Sequence, residues 1–189
     1  ALRQSVLAHW ARFGRLGTGG KVVISFHGVP KGTLHLGASY SCECQKTGRM
    51  LADSLGLSDG DYVVTFQSRF GRGEWLQPYT APTLRRLAAD GCARVDVICP
   101  GFVTDCLETL EEIDQEARAA YLAAGGETFH YIACLNDQHE WIAALAAIAL
   151  RHLQGWPTAN QDSDVALAAQ RARALAMGAV TKSCASNHA

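Results

Sequence analysis

The chain has 189 residues and a mass of 20.3 kDa, enough for a single domain that buries roughly 70% of the surface its unfolded form exposes. Seventeen Lys plus Arg against eighteen Asp plus Glu give a formal net charge of -1, so no cationic excess exists to neutralise phosphates, and nucleic acid is not expected as a partner. The composition, 48% hydrophobic and 19% charged, is that of a globular chain; the apolar run from Trp141 to Leu150 is too short to span a bilayer, and an odd number of Cys without a signal peptide points to free thiols and a cytoplasmic setting.

In chain order, Leu2, Val6, Leu7, Trp10 and Phe13 carry helical spacing from the outset. A chain that opens on Ala1 inside a helix reads as part of something longer. After the Gly17 to Gly20 break, Lys21 to Phe26 is a β-branched apolar run bounded by turn residues, the pattern of a buried strand. Similar runs follow at Tyr62 to Phe66, Arg94 to Cys99 and Phe129 to Cys134, separated by helical patterns at Thr47 to Leu55, Thr80 to Asp90 and Leu107 to Ala124. Strand alternates with helix four times, which predicts an α/β domain with a four-stranded parallel sheet and helices on both faces. A helix from His139 to Leu153 closes this unit, taken as residues 1–154. Residues 155–189 read as an extension, with an Ala-rich peripheral helix at Val165 to Met177 and a loose polar tail.

In such sheets, ligands collect beyond the carboxyl ends of the strands. The first strand ends in Ser25-Phe26-His27-Gly28-Val29-Pro30, which puts a histidine at its tip. The third ends in Cys99-Pro100-Gly101-Phe102, a turn leading to Glu108 at the start of an acidic helix. With a strand order of 2-1-3-4, His27 and Glu108 share one crevice, where they can share a proton or a metal ion. Along that helix Leu107, Leu110, Ile113, Ala117 and Tyr121 fall on one face, while Glu108, Glu112 and Glu116 climb the other at spacing four. The ladder reads either as a solvated face or as a path for a hard cation.

Other motifs are weaker. Cys42-Glu43-Cys44 puts two thiols near one another without zinc-site spacing, and Cys92 and Cys99 read as small buried residues. His35, His130, His139, His152 and His188 lack neighbours that would make a ligand set. No glycine fingerprint for a nucleotide follows a strand. The segment from Gln67 to Thr80, with Phe70, Trp75, Tyr79, Arg69 and Arg72, either presents a flat apolar and cationic surface to a planar acidic ligand or folds back on its own aromatics.

Three of these stretches, Ser25 to Pro30, Phe66-Gln67-Ser68-Arg69 through Trp75-Leu76-Gln77-Pro78, and Cys99 to Phe102 through Asp105-Cys106-Leu107-Glu108-Thr109-Leu110, resemble the carboxy-terminal half of ferrochelatase. That family inserts ferrous iron into protoporphyrin IX to make protohaem, the last step of haem biosynthesis. The resemblance runs from about Leu2 to Leu153. It implies a Rossmann-like chelatase domain, one of two similar halves flanking a porphyrin cleft, with the amino-terminal half outside this chain. It implies His27 and Glu108 as the facing catalytic pair, Phe102 and Trp75 against the macrocycle, and Glu112 and Glu116, with the first two, as the metal route. It also implies a π-type distortion that turns the acids of the helix toward the cleft. No resident cofactor is implied beyond the substrate iron. Some members hold a two-iron cluster on cysteines near the carboxyl terminus, but only Cys184 stands there, so no such cluster is expected. The expected setting is cytoplasmic, with peripheral contact to the inner membrane. Alternatives are a chelatase for coproporphyrin or another tetrapyrrole, and a binding module for metal or haem without turnover.

Overall fold

All four apolar runs form strands: β1 (Lys21–His27), β2 (Tyr62–Gln67), β3 (Arg94–Ile98) and β4 (Thr128–Ile132). In the computed structural model, which describes residues 1–157 and 163–179, they make one parallel sheet in the order β2-β1-β3-β4. That is the order under which His27 and Glu108 were expected to share a crevice. The register sets His27 abreast of Gln67, and Val22 abreast of both Tyr62 and Asp96.

Side chains alternate across a pleated strand, and β1 shows what each face packs against. Val22, Ile24 and Phe26 join Val6 and Trp10 of α1 (Leu2–Phe13) and Cys44, Leu51 and Leu55 of α2 (Tyr40–Leu55). Val23 turns to the opposite face, where Leu84 and Ala88 of α3 (Thr80–Ala89) pack with Ile113, Ala117 and Tyr121. With β1 buried on both sides, each of its aliphatic side chains contributes about 1.5–3 kcal/mol on leaving water.

Two helices differ from their sequence patterns. The helix expected from Thr47 starts at Tyr40, because its buried positions, Cys44, Gly48, Leu51, Ala52 and Leu55, extend the stripe back through small and polar residues that carry little hydropathy signal. The helix expected from Leu107 to Ala124 is broken into α4 (Leu107–Leu110), a π segment (Glu112–Ala117) and α5 (Arg118–Ala123). Its extra residue per turn changes which side chains face inward. Ile113, Ala117 and Tyr121 are buried as expected, but Leu107 and Leu110 are 73% and 45% exposed, contrary to the straight-helix assignment.

The chain divides into two compact units, Ala1–Leu145 and Ala146–Ala189. Helix α6 (His139–His152) runs across that boundary. In the second unit, α7 (Asp164–Ala176) starts at Ser163, whose hydroxyl accepts from the Ala166 N–H at 3.2 Å. The expected polar tail and Cys184 lie outside the described residues.

Gly48 sits where α2 crosses β2. A Cβ there would stand 2.4 Å from Val64 Cγ2, well inside contact distance. Replacing Gly48 with Ala gains helix propensity worth up to about 1 kcal/mol but forces a buried strand to move. We expect Gly48→Ala to lose about 1–3 kcal/mol overall, measured as a lower urea midpoint at unchanged slope.

Candidate active site

The first polar side chain beyond the buried part of β1 is His27, half-buried at the strand tip. Its ring lies between two aromatics, with centroids 6.2 Å from Trp75 and 6.1 Å from Phe102. Gly28 makes this packing feasible: its N–H donates to the Gln67 carbonyl at 2.8 Å, and a Cβ on it would meet that oxygen at 3.1 Å and the Trp75 ring at 3.2 Å. His27 Nδ1 is 2.6 Å from the Gly28 carbonyl. A carbonyl only accepts, so Nδ1 carries the hydrogen, and in the neutral form of the ring the lone pair is on Nε2. The Tyr40 hydroxyl donates to the His27 carbonyl at 2.8 Å, tying the strand tip to α2.

Glu108 is brought to this end of the sheet by the turn after β3. Its carboxyl is held below the ordinary glutamate value by hydrogen bonds from the Cys106 thiol and from its own backbone, with His27 near enough to add electrostatic support. The first turn of α4 is fixed by a capping box, in which Cys106 N–H donates to Thr109 Oγ1 at 2.9 Å. Glu112 is more firmly held: Ser68 donates its N–H to Oε1 at 2.7 Å and its hydroxyl to Oε2 at 2.6 Å. Glu108, Glu111, Glu112 and Glu116 then line one cavity of about 410 Å³ with Arg69 and Phe70. All three members of the expected acid ladder thus share a wall.

Asp105 and Asp114 are not part of that wall, although the sequence places them in the same acidic run. Asp114 pairs with Arg118. Asp105 is a structural hub whose Oδ1 accepts from the Tyr131 hydroxyl at 2.6 Å and the Cys134 N–H at 3.2 Å, while Oδ2 accepts from Asn136 at 2.7 Å. In return, Asn136 Oδ1 accepts the Asp105 N–H at 2.9 Å. These bonds lock the β3–α4 turn onto the end of β4.

The segment after β2 adopts both forms that its composition allowed. Trp75, Leu76 and Tyr79 fold back: Trp75 pairs with Pro30, Leu76 N–H donates to the Val29 carbonyl at 3.0 Å, and Tyr79 bridges to Phe66. Arg69, Arg72 and Phe70 stay exposed, with Arg69 also 5.4 Å from the Tyr79 ring.

Two clusters have no counterpart in the motif reading. One is the buried Gln67 amide, whose Oε1 accepts from Ser25 Oγ at 2.7 Å and Cys99 Sγ at 3.4 Å, and whose Nε2 donates to the Glu108 carbonyl at 2.6 Å. The other corrects the view of His130 as lacking ligand-forming neighbours: its Nδ1 is 3.0 Å from Asp96 Oδ1, and His9 Nε2 is 3.8 Å from the same oxygen. The available signal was Asp96 itself, a carboxylate in the apolar run Val95 to Ile98 that had to be paired if buried. Cys42 and Cys44, close in sequence, do not form a thiol pair. Two residues apart on a helix they point about 200° from one another; Cys42 is exposed and Cys44 is in the core. Burial pushes the Cys44 and Cys99 thiols up and that of Cys134 to about 11. All six described cysteines are free.

Burial opposes ionisation of Asp105, but the hydrogen bonds from Asn136, Tyr131 and Cys134 outweigh it and lower its pKa. A carboxyl depressed by folding contributes stability above its unfolded value of about 3.9 and loses it as pH falls through the lower folded value. Tyr131→Phe, which removes one of these bonds, should therefore lose about 2 kcal/mol near neutral pH. The gap from the parent protein should narrow below about pH 4, as followed by urea unfolding across pH.

Residues 1–153 match the family described as Ferrochelatase. The ferrochelatase of Methylibium petroleiphilum is 62% identical over 179 residues, 95% of this chain and 48% of its own length. That of Herminiimonas arsenicoxydans is 63% identical over 158 residues, 84% of this chain and 42% of its own. A looser likeness, with a TM-score of 0.46 and 10% identity over 71% of this chain and 98% of the other, is to a putative cobalamin (vitamin B12) biosynthesis CbiX protein from Marinobacter aquaeolei VT8. The chain spans about half the length of the curated relatives it matches, and it belongs to the ferrochelatase family.

Proposed function

We propose that this chain forms one wall of a cleft in which ferrous iron is inserted into protoporphyrin IX, the other wall coming from an amino-terminal half of the same enzyme. The observation that carries this reading is His27, held between the Trp75 and Phe102 rings with its Nε2 free to accept a proton and with Glu108 close by. Iron cannot enter a porphyrin until two pyrrole N–H protons leave, so insertion needs a base near the ring centre and a surface that holds the ring in a bent form. Trp75 and Phe102 supply flat apolar faces for the macrocycle. His27 accepts the two pyrrole protons in turn, releasing the first to water before it takes the second. Glu108, kept anionic, stabilises the imidazolium that results or takes the iron as a ligand.

The cavity lined by Glu108, Glu112 and Glu116 suits delivery of a divalent cation to the same place, since oxygen donors bind hard and borderline cations without deprotonating at neutral pH. Glu112, fixed by Ser68, is the rigid rung of this route, and exposed Glu116 is its entrance. Around it the loops following the strands carry exposed apolar side chains: Leu36 after β1, Phe70 after β2 and Leu107 after β3. Such a rim suits a large apolar ring and, through it or beside it, the opposing half. Among the described residues no helix is long and apolar enough to cross a membrane. A cytoplasmic enzyme touching the inner membrane peripherally, where an apolar substrate and product partition, is consistent with that rim.

In the full-length protein, His27→Ala should reduce iron insertion into protoporphyrin IX by roughly 100-fold or more, while porphyrin affinity, read by fluorescence quenching, stays within a few-fold. Insertion at the parent rate would overturn the role given to His27. The 189-residue chain on its own should bind porphyrin weakly and show no turnover, because one wall does not bend the ring. Sustained metal insertion by the isolated chain would contradict the two-walled cleft.

A further inference from the structure

His9, Asp96 and His130 meet well away from the candidate cleft. Asp96 is abreast of Val22 in the sheet register and His27 lies five residues further along β1, a separation of about 16 Å at strand rise. Asp96 is 0% exposed, a charge on a central strand, and it is paired on every side. Trp10 Nε1 donates to Oδ2 at 2.8 Å, Arg94 donates from Nη2 to Oδ2 at 3.1 Å and from Nε to Oδ1 at 3.0 Å, and His130 Nδ1 reaches Oδ1 at 3.0 Å. His9 comes in from α1. Its side chain is 8% exposed, and its Nε2 is 3.8 Å from Asp96 Oδ1, too far for a hydrogen bond. Among the described residues it is the buried side-chain polar atom without a hydrogen-bond partner.

We propose that His9 Nε2, Asp96 Oδ1 and His130 form a binding site for a divalent transition-metal ion of the zinc class, separate from the cleft and beyond its proposed function. The three ligand atoms lie within 4.8 Å of one another. Donors on a tetrahedral ion with bonds of 2.0–2.1 Å stand about 3.4 Å apart, and the two separations to Asp96 Oδ1, 3.0 and 3.8 Å, straddle that figure. The widest separation, 4.8 Å, is between the two imidazoles, so an ion centred among the three draws them together by about 1 Å and gives His9 Nε2 the partner that the protein does not. Two imidazoles and one carboxylate favour zinc, cobalt or ferrous ions over magnesium or calcium, which prefer all-oxygen sets.

The surroundings have the form of an outer ligand shell. Trp10 and Arg94 Nη2, itself anchored on the Gly14 carbonyl at 2.9 Å, hold Oδ2 and so aim Oδ1 at the imidazoles. The ion replaces two bonds to Oδ1, from Arg94 Nε and from His130 Nδ1, and the ligating nitrogen of His130 gives up its hydrogen. Phe13 packs on both imidazoles, with ring centroids 4.8 Å from His9 and 4.8 Å from His130. A metal here fastens α1 to β3 and β4, three elements whose ligands are far apart in sequence.

The test is a cobalt(II) titration of the tag-free full-length protein in a His27→Ala, Glu108→Gln, Glu112→Gln, Glu116→Gln background, so that the residues proposed for the cleft's metal route do not account for uptake. One equivalent of cobalt should bind with visible d–d absorption, be displaced by zinc and be unaffected by millimolar magnesium. Adding His9→Gln or His130→Gln should weaken binding at least 100-fold at unchanged far-UV circular dichroism. Because His130 reaches the surface, with a side chain 23% exposed, His130→Gln decides the matter if His9→Gln does not fold. Absence of stoichiometric uptake in the background protein, or affinity changed less than threefold by His130→Gln, overturns the proposal.

Discussion

The side-chain amide of Gln67 is the contact through which the site is assembled. It stands at the tip of β2, and a buried amide must satisfy both its oxygen and its nitrogen or lose stability. It does so by reaching three other parts of the chain: Ser25 on β1, Cys99 after β3 and the Glu108 carbonyl in α4. Ser25 continues the network to Thr80 at the start of α3, and Thr80 to Thr65 on β2. The pairing of Cys99 with an amide oxygen also agrees with burial pushing that thiol up, since it must remain S–H to donate. One polar group thus fixes the spacing between the histidine strand and the acid helix. Close packing on both faces of β1 leaves no room for slack elsewhere.

The π segment solves a conflict on the acid helix. A straight α-helix with glutamates at spacing four aligns like charges on a single stripe, and it would also have to bury Leu107 and Leu110 along with Ile113. By widening the turn between Glu112 and Ala117, the chain keeps Ile113, Ala117 and Tyr121 in the core and turns Glu112 toward Ser68, where two hydrogen bonds hold its carboxylate. The cost is two leucines left outside. π turns cluster at functional positions because they re-aim side chains in this way, and here the re-aimed residues are the ones around the 410 Å³ acidic cavity.

Much of this was legible in the sequence, for identifiable reasons. The four strands are short β-branched runs between turn residues, and parallel pairing buries them on both faces, so their signal is continuous hydropathy. The strand tips were legible because His27-Gly28 and Pro100-Gly101 mark where extended chain must turn. What could not be read was whatever depends on contacts between distant parts. The π widening between Glu112 and Ala117 leaves no trace in residue spacing and was expected only from the resemblance to ferrochelatase. Asp105 looks like one more acid in a run until its partners on and after β4 are placed, and His9, Asp96 and His130 come together only through strand register and the docking of α1. For the last of these the buried carboxylate of Asp96 was the available clue, and its partners were the missing fact.

The exposed leucines and Phe70 bear on why a wall of this kind is built at all. Singly exposed apolar residues are common on protein surfaces. Leu36, Phe70 and Leu107 are different because the segments that carry them, a 3-10 turn, a loop and the start of α4, follow three parallel strands that end at the same edge of the sheet. Phe70 and Leu107 moreover line the same cavity as the glutamates. An edge that sets apolar side chains beside ionised carboxylates is a poor surface for water alone, and a poor core. That combination fits the proposed ligand, with an apolar periphery and a centre that takes up a cation, and on that proposal the second wall belongs to the length by which the curated relatives exceed this chain.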